Sequence, residues 1–387
     1  MWRTQALVVA SGSLAVWGKI STTRRISACE SHAASLRVPA FSATYPANDP
    51  SEDRSVVCSL GTKANGDVVK MVGVFDGHGG WQVSEFVSKN VQEVLTRHLT
   101  GAGVLVSTTA TPAPVKTTIN KADDSDEERV EEELMVGRAL RTSFAELEAR
   151  YKDGVRQSYA YGFGQVARVG CCALVCLRIG DRLSLANAGD CRAVLGSATD
   201  DGGTDFRAVR ITRDHNAREP LEVIRLMTEH PGESLQSLIR CKNPHACYVK
   251  GRLQLSRALG DAYLKYPEYN APPGQHRDRG RHIAPPYTPP YVDAVPQLHH
   301  LVLQSQRDRF VVLASDGVWD YLTDQDAVDV VAQARRAGMC PAEAIRTAAL
   351  TKAAEECGMS LEELLQFPPG RQRRGRHDDT TAVVLEL

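Results

Sequence analysis

Four aspartates, Asp76, Asp190, Asp316 and Asp378, each stand where an apolar run meets a polar turn. The sharpest case is residues 74–80, VFDGHGG. A run through Val68, Val69, Met71, Val72, Val74 and Phe75 stops abruptly on Asp76, Gly77, His78, Gly79 and Gly80. Such a run predicts a buried strand, and its end a tight turn that presents a carboxylate and an imidazole at the sheet rim. Residues 310–315 (FVVLAS) end the same way on Asp316-Gly317, and residues 183–188 (LSLANA) on Gly189-Asp190. Near the C-terminus the order reverses, and His377-Asp378-Asp379 leads into residues 381–387, TAVVLEL. Taken singly, each aspartate reads as a turn carboxylate. A fold that gathers the four strand ends builds an oxygen-rich metal site.

The spacing of apolar residues predicts the elements that must do the gathering. A short strand over 55–60 and a hairpin turn at 64–67 precede the strand that ends at Asp76. Residues 81–99 carry Trp81, Val83, Phe86, Val87, Val91, Val94, Leu95 and Leu99 at helical spacing. A second helix over 127–151 places Val130, Leu134, Leu140, Phe144, Leu147 and Tyr151 on one stripe. Between them, 100–126 reads as a flexible insert. Residues 170–179, 182–188 and 191–196 read as a three-strand meander turned at Gly180-Asp181 and Gly189-Asp190, followed by a strand over 206–211. Leu221, Ile224 and Met227 mark a helix within 214–230, and Asp214-His215-Asn216 reads as a turn and cap before it. Residues 266–296 hold eight prolines and form a loop, whereas 325–335 and 341–357 are helical. A basic loop with Arg371, Arg373, Arg374 and Arg376 precedes the last strand. The pattern predicts an α+β domain with antiparallel sheets.

At 387 residues and 42% hydrophobic, the chain is long enough for one large core or two modest ones. A net charge of −1 supplies no global field for nucleic acid or an anionic membrane. The ten cysteines show no spaced framework and no CxxC pair, which reads as free thiols in a reducing compartment, without disulfides or zinc. Cys171 and Cys172 fall in a strand and read as buried core thiols. The first 29 residues lack Asp and Glu and carry Arg3, Lys19, Arg24 and Arg25 among Ser, Thr and Ala. That composition suits a mitochondrial transit peptide over 1–40, with a disordered extension or a secretory leader as the other readings. No segment reaches transmembrane length.

The ordered motifs PSEDR (50–54), VFDGHGG (74–80), NAGDCRAVL (187–195), SRALGDAYLK (256–265), LASDGVWDYL (313–322) and HDDTTAVV (377–384) resemble the metal-dependent type 2C serine/threonine protein phosphatases. The match runs from about residue 45 to the C-terminus. PANDPSEDR, DHNARE and PPYTPPYV look like the pyruvate dehydrogenase phosphatase branch. VKGRLQLSRALGDAYLKYPEYN and the HDDTTAVVLEL ending look like a plant branch that acts on phosphorylated plasma-membrane proton pumps and receptor kinases. The resemblance implies a four-layer αββα sandwich over 41–387, two antiparallel sheets flanked by helix pairs, with a dinuclear metal site at one end.

The resemblance also implies the chemistry. Two Mg²⁺ or Mn²⁺ ions activate a bridging water and clamp the phosphate of a Ser/Thr-phosphorylated protein. Asp76 bridges both ions, the Gly77 carbonyl binds one, and Asp316 and Asp378 bind the other. Glu52 or Asp53 holds a metal-bound water, and Asp190 serves a third, weaker site. His78 protonates the departing Ser or Thr oxygen. Many members carry a phosphate-gripping arginine four residues before the Glu of the Glu-Asp pair. Here that position is Asn48, and Asp379 stands where many members have Asn. The expected activity is hydrolysis of phosphoserine or phosphothreonine, with a mitochondrial dehydrogenase phosphoserine as substrate if the leader is a transit peptide. The other readings are a cytosolic phosphatase of membrane-pump or signalling phosphoproteins, a hydrolase of small phosphate esters, and an inactive binding scaffold.

Overall fold

A computed structural model describes residues 30–31, 39–106, 125–200, 203–270 and 282–387. Residues 1–29 and 32–38 of the expected leader, 107–124 of the expected insert and 271–281 of the proline-rich loop lie outside the described residues. In chain order the strands are β1 (Glu30–Ser31), β2 (Ala40–Tyr45), β3 (Arg54–Thr62), β4 (Val68–His78), β5 (Gly170–Ile179), β6 (Arg182–Ala188) and β7 (Arg192–Ala198). They continue with β8 (Phe206–Arg210), β9 (Ile239–Asn243), β10 (Ala246–Val249), β11 (Leu259–Gly260), β12 (Gln297–Val302), β13 (Asp308–Ala314) and β14 (Thr380–Glu386). Helices α1 (Gln82–Gly101), α2 (Ser125–Ala160), α3 (Pro220–Glu229), α4 (Asp316–Trp319), α5 (Asp324–Arg336), α6 (Pro341–Glu356) and α7 (Arg371–Arg374) matter below.

Twelve of the strands form two antiparallel sheets, β12-β6-β5-β4-β3 with β11 on β5, and β1-β2-β14-β13-β7-β8, and β9 and β10 pair separately. Alternation along β4 shows how the layers arise. Val72 and Val74 enter the buried cluster shared with Leu313 and Val383 of the other sheet. Val69, Met71 and Phe75 point oppositely, into a cluster with Val87 and Val91 of α1 and Leu140 and Phe144 of α2. On the far side, Val312 and Val384 pack with Val328 and Val331 of α5 and Ile345 of α6. Each fully buried aliphatic side chain contributes about 1.5–3 kcal/mol. The result is the four-layer αββα sandwich.

Three sequence expectations change. First, β5 and β6 pair, but β7 leaves the meander and pairs with β13 and β8 in the other sheet. Its Val194 needs the α5–α6 layer while Ala193 and Leu195 need the inter-sheet layer, and only the second sheet offers both. Gly189-Asp190 is therefore a crossing between sheets, not a hairpin turn. Second, two apolar stripes are partly unpartnered. Val130 and Leu134 of α2 are exposed, and so are Leu221, Ile224 and Met227 of α3. Helix α3 turns Leu226 and Glu222 inward instead, because Glu222 takes Arg257 at 2.6 Å and the Ser256 hydroxyl at 2.8 Å. Third, Cys241 and Cys247 form a disulfide, and Cys340 is also disulfide-bonded. Antiparallel pairing of β9 and β10 makes Cys241 and Cys247 cross-strand partners, a closeness that six residues of separation does not advertise. Cys58, Cys171, Cys172, Cys176, Cys191 and Cys357 are free, the middle four of them buried.

Candidate metal centre

The two sheets bring their polar strand ends to one edge. Asp76 lies two residues before the end of β4, Asp190 sits on the crossing from β6 to β7, and Asp316 follows the last residues of β13. One carboxylate oxygen from each of these three lies within 4.8 Å of the others. Burial and then the charge of Asp316 push the Asp76 carboxyl well above the usual carboxylate range. Burial and then the charge of Asp190 do the same to Asp316. Burial raises Asp190 to about 6, against a hydrogen bond from the Cys172 thiol at 3.2 Å. Three carboxylates this close cannot all ionise without a cation. An all-oxygen set of this kind suits a hard divalent ion, so the residues fit the metal that the motifs imply.

Asp378 stands beside this trio, near enough for its charge to raise both Asp76 and Asp316. Its carboxylate is paired with Arg374 at 2.5 Å. Asp379 does a different job. Its Oδ1 accepts from the backbone N–H of Ala47 (2.5 Å) and Asn48 (2.9 Å), and its Oδ2 from the Asn48 amide (3.2 Å) and the Glu52 N–H (2.6 Å). One side chain thus shapes the whole 47–52 turn, using both of its oxygens. Asp53, next along, is buried, accepts from the Ser315 hydroxyl at 2.8 Å, and is raised to about 7 by burial and then by Asp379. Burial followed by Asp379 also raises Glu52. The Gly77 N–H donates to the Glu52 carbonyl at 3.2 Å, and a Cβ on Gly77 would lie 2.6 Å from that oxygen. Glycine is required there for the Glu52-Asp53 turn to close on β4.

His78 has a partner that the sequence reading did not assign. Its Nε2 lies 2.6 Å from Asp261 Oδ2. Burial alone would lower the imidazole, yet the charge and hydrogen bond of Asp261 hold it above its usual value. The pair needs an empty space on β5: a Cβ on Gly170, the register partner of His78, would fall 2.0 Å from Asp261 Oδ2. His78 Nδ1 is buried with no protein partner, as is Asp261 Oδ1. The signal was present as the Gly-Asp of SRALGDAYLK, where Asp261 adopts a left-handed φ of 50°. Asp320, four residues after Asp316, is a second residue passed over. Its N–H donates to the Asp316 carbonyl at 2.8 Å, and its charge adds to the repulsion on Asp316.

The chain matches the family model "Protein phosphatase 2C" over residues 41–358. The chain belongs to the protein phosphatase 2C family. It is 33% identical over 345 residues to "Probable protein phosphatase 2C 43" of Oryza sativa subsp. japonica, covering 89% of this chain and 76% of that one. It is 34% identical over 348 residues to "Probable protein phosphatase 2C 68" of Arabidopsis thaliana, with the same coverage of both chains. Among solved structures, the serine-threonine phosphatase 2C of Toxoplasma gondii matches with a TM-score of 0.59 at 20% identity, covering 90% of this chain and 94% of that one. The protein is thus a type 2C serine/threonine phosphatase, and that family's dependence on divalent metal agrees with the aspartate cluster. Among the described residues no helix is long and apolar enough to cross a membrane.

Two further groups in this phosphatase set the position of Asp190. Arg192 pairs with Asp214 at 2.8 Å and with Asp324 at 3.0 Å, and its guanidinium lies over Trp319, 5.1 Å from the ring centre. Buried His215 accepts from the Gly189 N–H at its Nδ1 (3.3 Å), while its Nε2 faces Gln297 Oε1 at 3.0 Å. So Asp214 and His215 brace the sheet crossing, and Asn216 turns the chain by accepting from the Arg218 N–H. None of the three caps α3, which begins on Pro220 after Glu219. Burial and then the charge of Arg257 push the His215 imidazole down to about 4. Below its ordinary value of about 6.5, the unfolded chain takes up a proton that the native protein refuses, so stability falls as pH drops from about 6.5 to about 4. Urea unfolding at pH 7 and pH 5 measures this. His215→Gln is expected to lose about 2 kcal/mol less than the unsubstituted protein between those two pH values. An identical pH dependence would remove His215 as the cause.

Proposed function

We propose that this phosphatase hydrolyses phosphoserine and phosphothreonine at a site where Asp76, Asp190, Asp316 and Asp378 hold Mg²⁺ or Mn²⁺. Two ions are expected, with Asp190 serving a third. The observation that carries the reading is the trio of converging carboxylates beside a His–Asp pair. When bound, such ions lower the pKa of water and neutralise phosphoryl charge. The chain's own residues do the rest. Asp76, Asp316, Asp378 and the Gly77 carbonyl would hold the ions, and Glu52 or Asp53 would orient water beside them. Asp261 keeps His78 protonated, and Nδ1 delivers that proton to the leaving Ser or Thr oxygen. Asn48, expected at the phosphate, gives its N–H and its side-chain amide to Asp379 instead.

The test uses the full chain with a Ser/Thr phosphopeptide. Phosphate release is expected with Mn²⁺ or Mg²⁺, to vanish in excess chelator, and to return on adding metal. Release that ignores chelator, or no release with either metal, overturns the reading, and the second outcome favours a binding scaffold. The acid-free N-terminus supports a mitochondrial destination, with a dehydrogenase phosphoserine as the first protein substrate to try. Imaging residues 1–40 fused to a fluorescent reporter checks it, and a cytosolic signal would favour the membrane-pump reading.

A further inference from the structure

A phosphomonoester dianion placed among carboxylates gains from a guanidinium beside the metal, and Asn48 cannot supply one. Its amide is already committed to Asp379. The basic turn at α7 lies against the same stretch of chain. The Gly370 N–H donates to the Ala47 carbonyl at 2.7 Å, and Arg373 Nη1 to the Pro46 carbonyl at 2.7 Å. The arginines of this turn differ in what they do. Arg373 is buried, stacks over Tyr45 at 4.5 Å and donates to the Phe367 carbonyl. Arg376 stacks on Phe367 at 3.8 Å and donates to the Gln372 carbonyl. Both are structural.

Arg374 turns toward the carboxylates. Its Nη2 lies 2.5 Å from Asp378 Oδ2, yet 48% of its side-chain surface stays open to solvent. Its charge is also felt at Glu52 and Asp320, where it favours the ionised forms. We propose that Arg374 is the residue that grips the substrate phosphate, reaching from the C-terminal side to the place that an arginine at position 48 would serve. This rests on the phosphatase reading above. A guanidinium can hold two phosphate oxygens in one plane, and its exposure leaves it free to turn from Asp378 to an incoming anion.

The experiment separates phosphate from metal. Calorimetry of inorganic phosphate binding to the Mn²⁺-loaded full chain is expected to show affinity falling roughly 10- to 100-fold in Arg374→Gln and less in Arg374→Lys. The KM for a phosphopeptide is expected to rise by a similar factor while kcat changes little. Mn²⁺ binding to the metal-free protein is expected to stay within about twofold. Adding Asn48→Arg to Arg374→Gln is expected to restore phosphate affinity. Unchanged phosphate affinity in Arg374→Gln overturns the proposal. So does a loss of Mn²⁺ affinity that accounts for the whole effect, because Arg374 would then only hold Asp378. If the unsubstituted chain binds phosphate but hydrolyses no phosphopeptide, the phosphatase reading fails, and the phosphate titration still decides the role of Arg374.

Discussion

Asp316→Asn is expected to abolish phosphate release and, at the same time, to make the metal-free protein more stable. The two effects share one cause. Asp316 sits within 4.8 Å of two other carboxylates, and its acidity is weakened by burial and then by the charges of Asp190 and Asp378. In the unfolded chain the group ionises freely. In the fold the charged form is disfavoured, so the native state binds the extra proton and stability falls as pH rises above the ordinary carboxylate range. Asparagine removes the repulsion and keeps the shape. It also removes a ligand oxygen, so activity is expected to drop at least about a thousandfold. Thermal melts in chelator and in millimolar Mn²⁺ measure the stability side. The unsubstituted protein should gain Tm with Mn²⁺, since metal at 100 times its Kd adds about 2.7 kcal/mol. The variant should start higher in chelator and gain little. A variant that melts lower than its parent in chelator, or that keeps its activity, would contradict the metal centre.

His78→Ala is expected to slow phosphopeptide hydrolysis by about 10²- to 10⁴-fold, the usual worth of a positioned general acid. With p-nitrophenyl phosphate the loss should be far smaller, because nitrophenolate departs without a proton. Asp261→Asn should reproduce the same pattern at reduced size, since it keeps a hydrogen-bonding group near Nε2 but withdraws the charge that favours imidazolium. Equal losses on both substrates would show that His78 serves binding or metal placement instead. The ratio of the two rates is therefore the measurement that matters, and it is insensitive to how much active protein each preparation holds.

The strand ends were legible because each apolar run is unbroken and each stops on Asp beside Gly. The helices were legible because their periodicity is long. What periodicity does not carry is the identity of the surface opposite. Leu221, Ile224 and Met227 obey helical spacing yet face water, since an ion cluster at Glu222 decides how α3 rolls. Sheet membership is likewise non-local: nothing within residues 187–195 states that β7 pairs with β13, more than a hundred residues away. The same holds for His78 and Asp261, which are 183 residues apart and meet only because β5 carries Gly170 between them. The disulfide was missed for the opposite reason, since two cysteines close in sequence carry no mark of being opposite in a hairpin.

The crossing at Gly189-Asp190 has a mechanical side. Asp76 belongs to one sheet, Asp316 opens α4 just beyond the end of β13 in the other, and Asp190 belongs to the strap between them. A cation held by all three acts as a rivet through the open edge of the sandwich. Sliding or splaying of one sheet against the other changes the oxygen spacings directly, so metal affinity reads the relative placement of the two sheets. Conversely, loading the site should stiffen that edge as a unit, and slowed amide exchange at the ends of β4, β6 and β13 together would register the rivet closing.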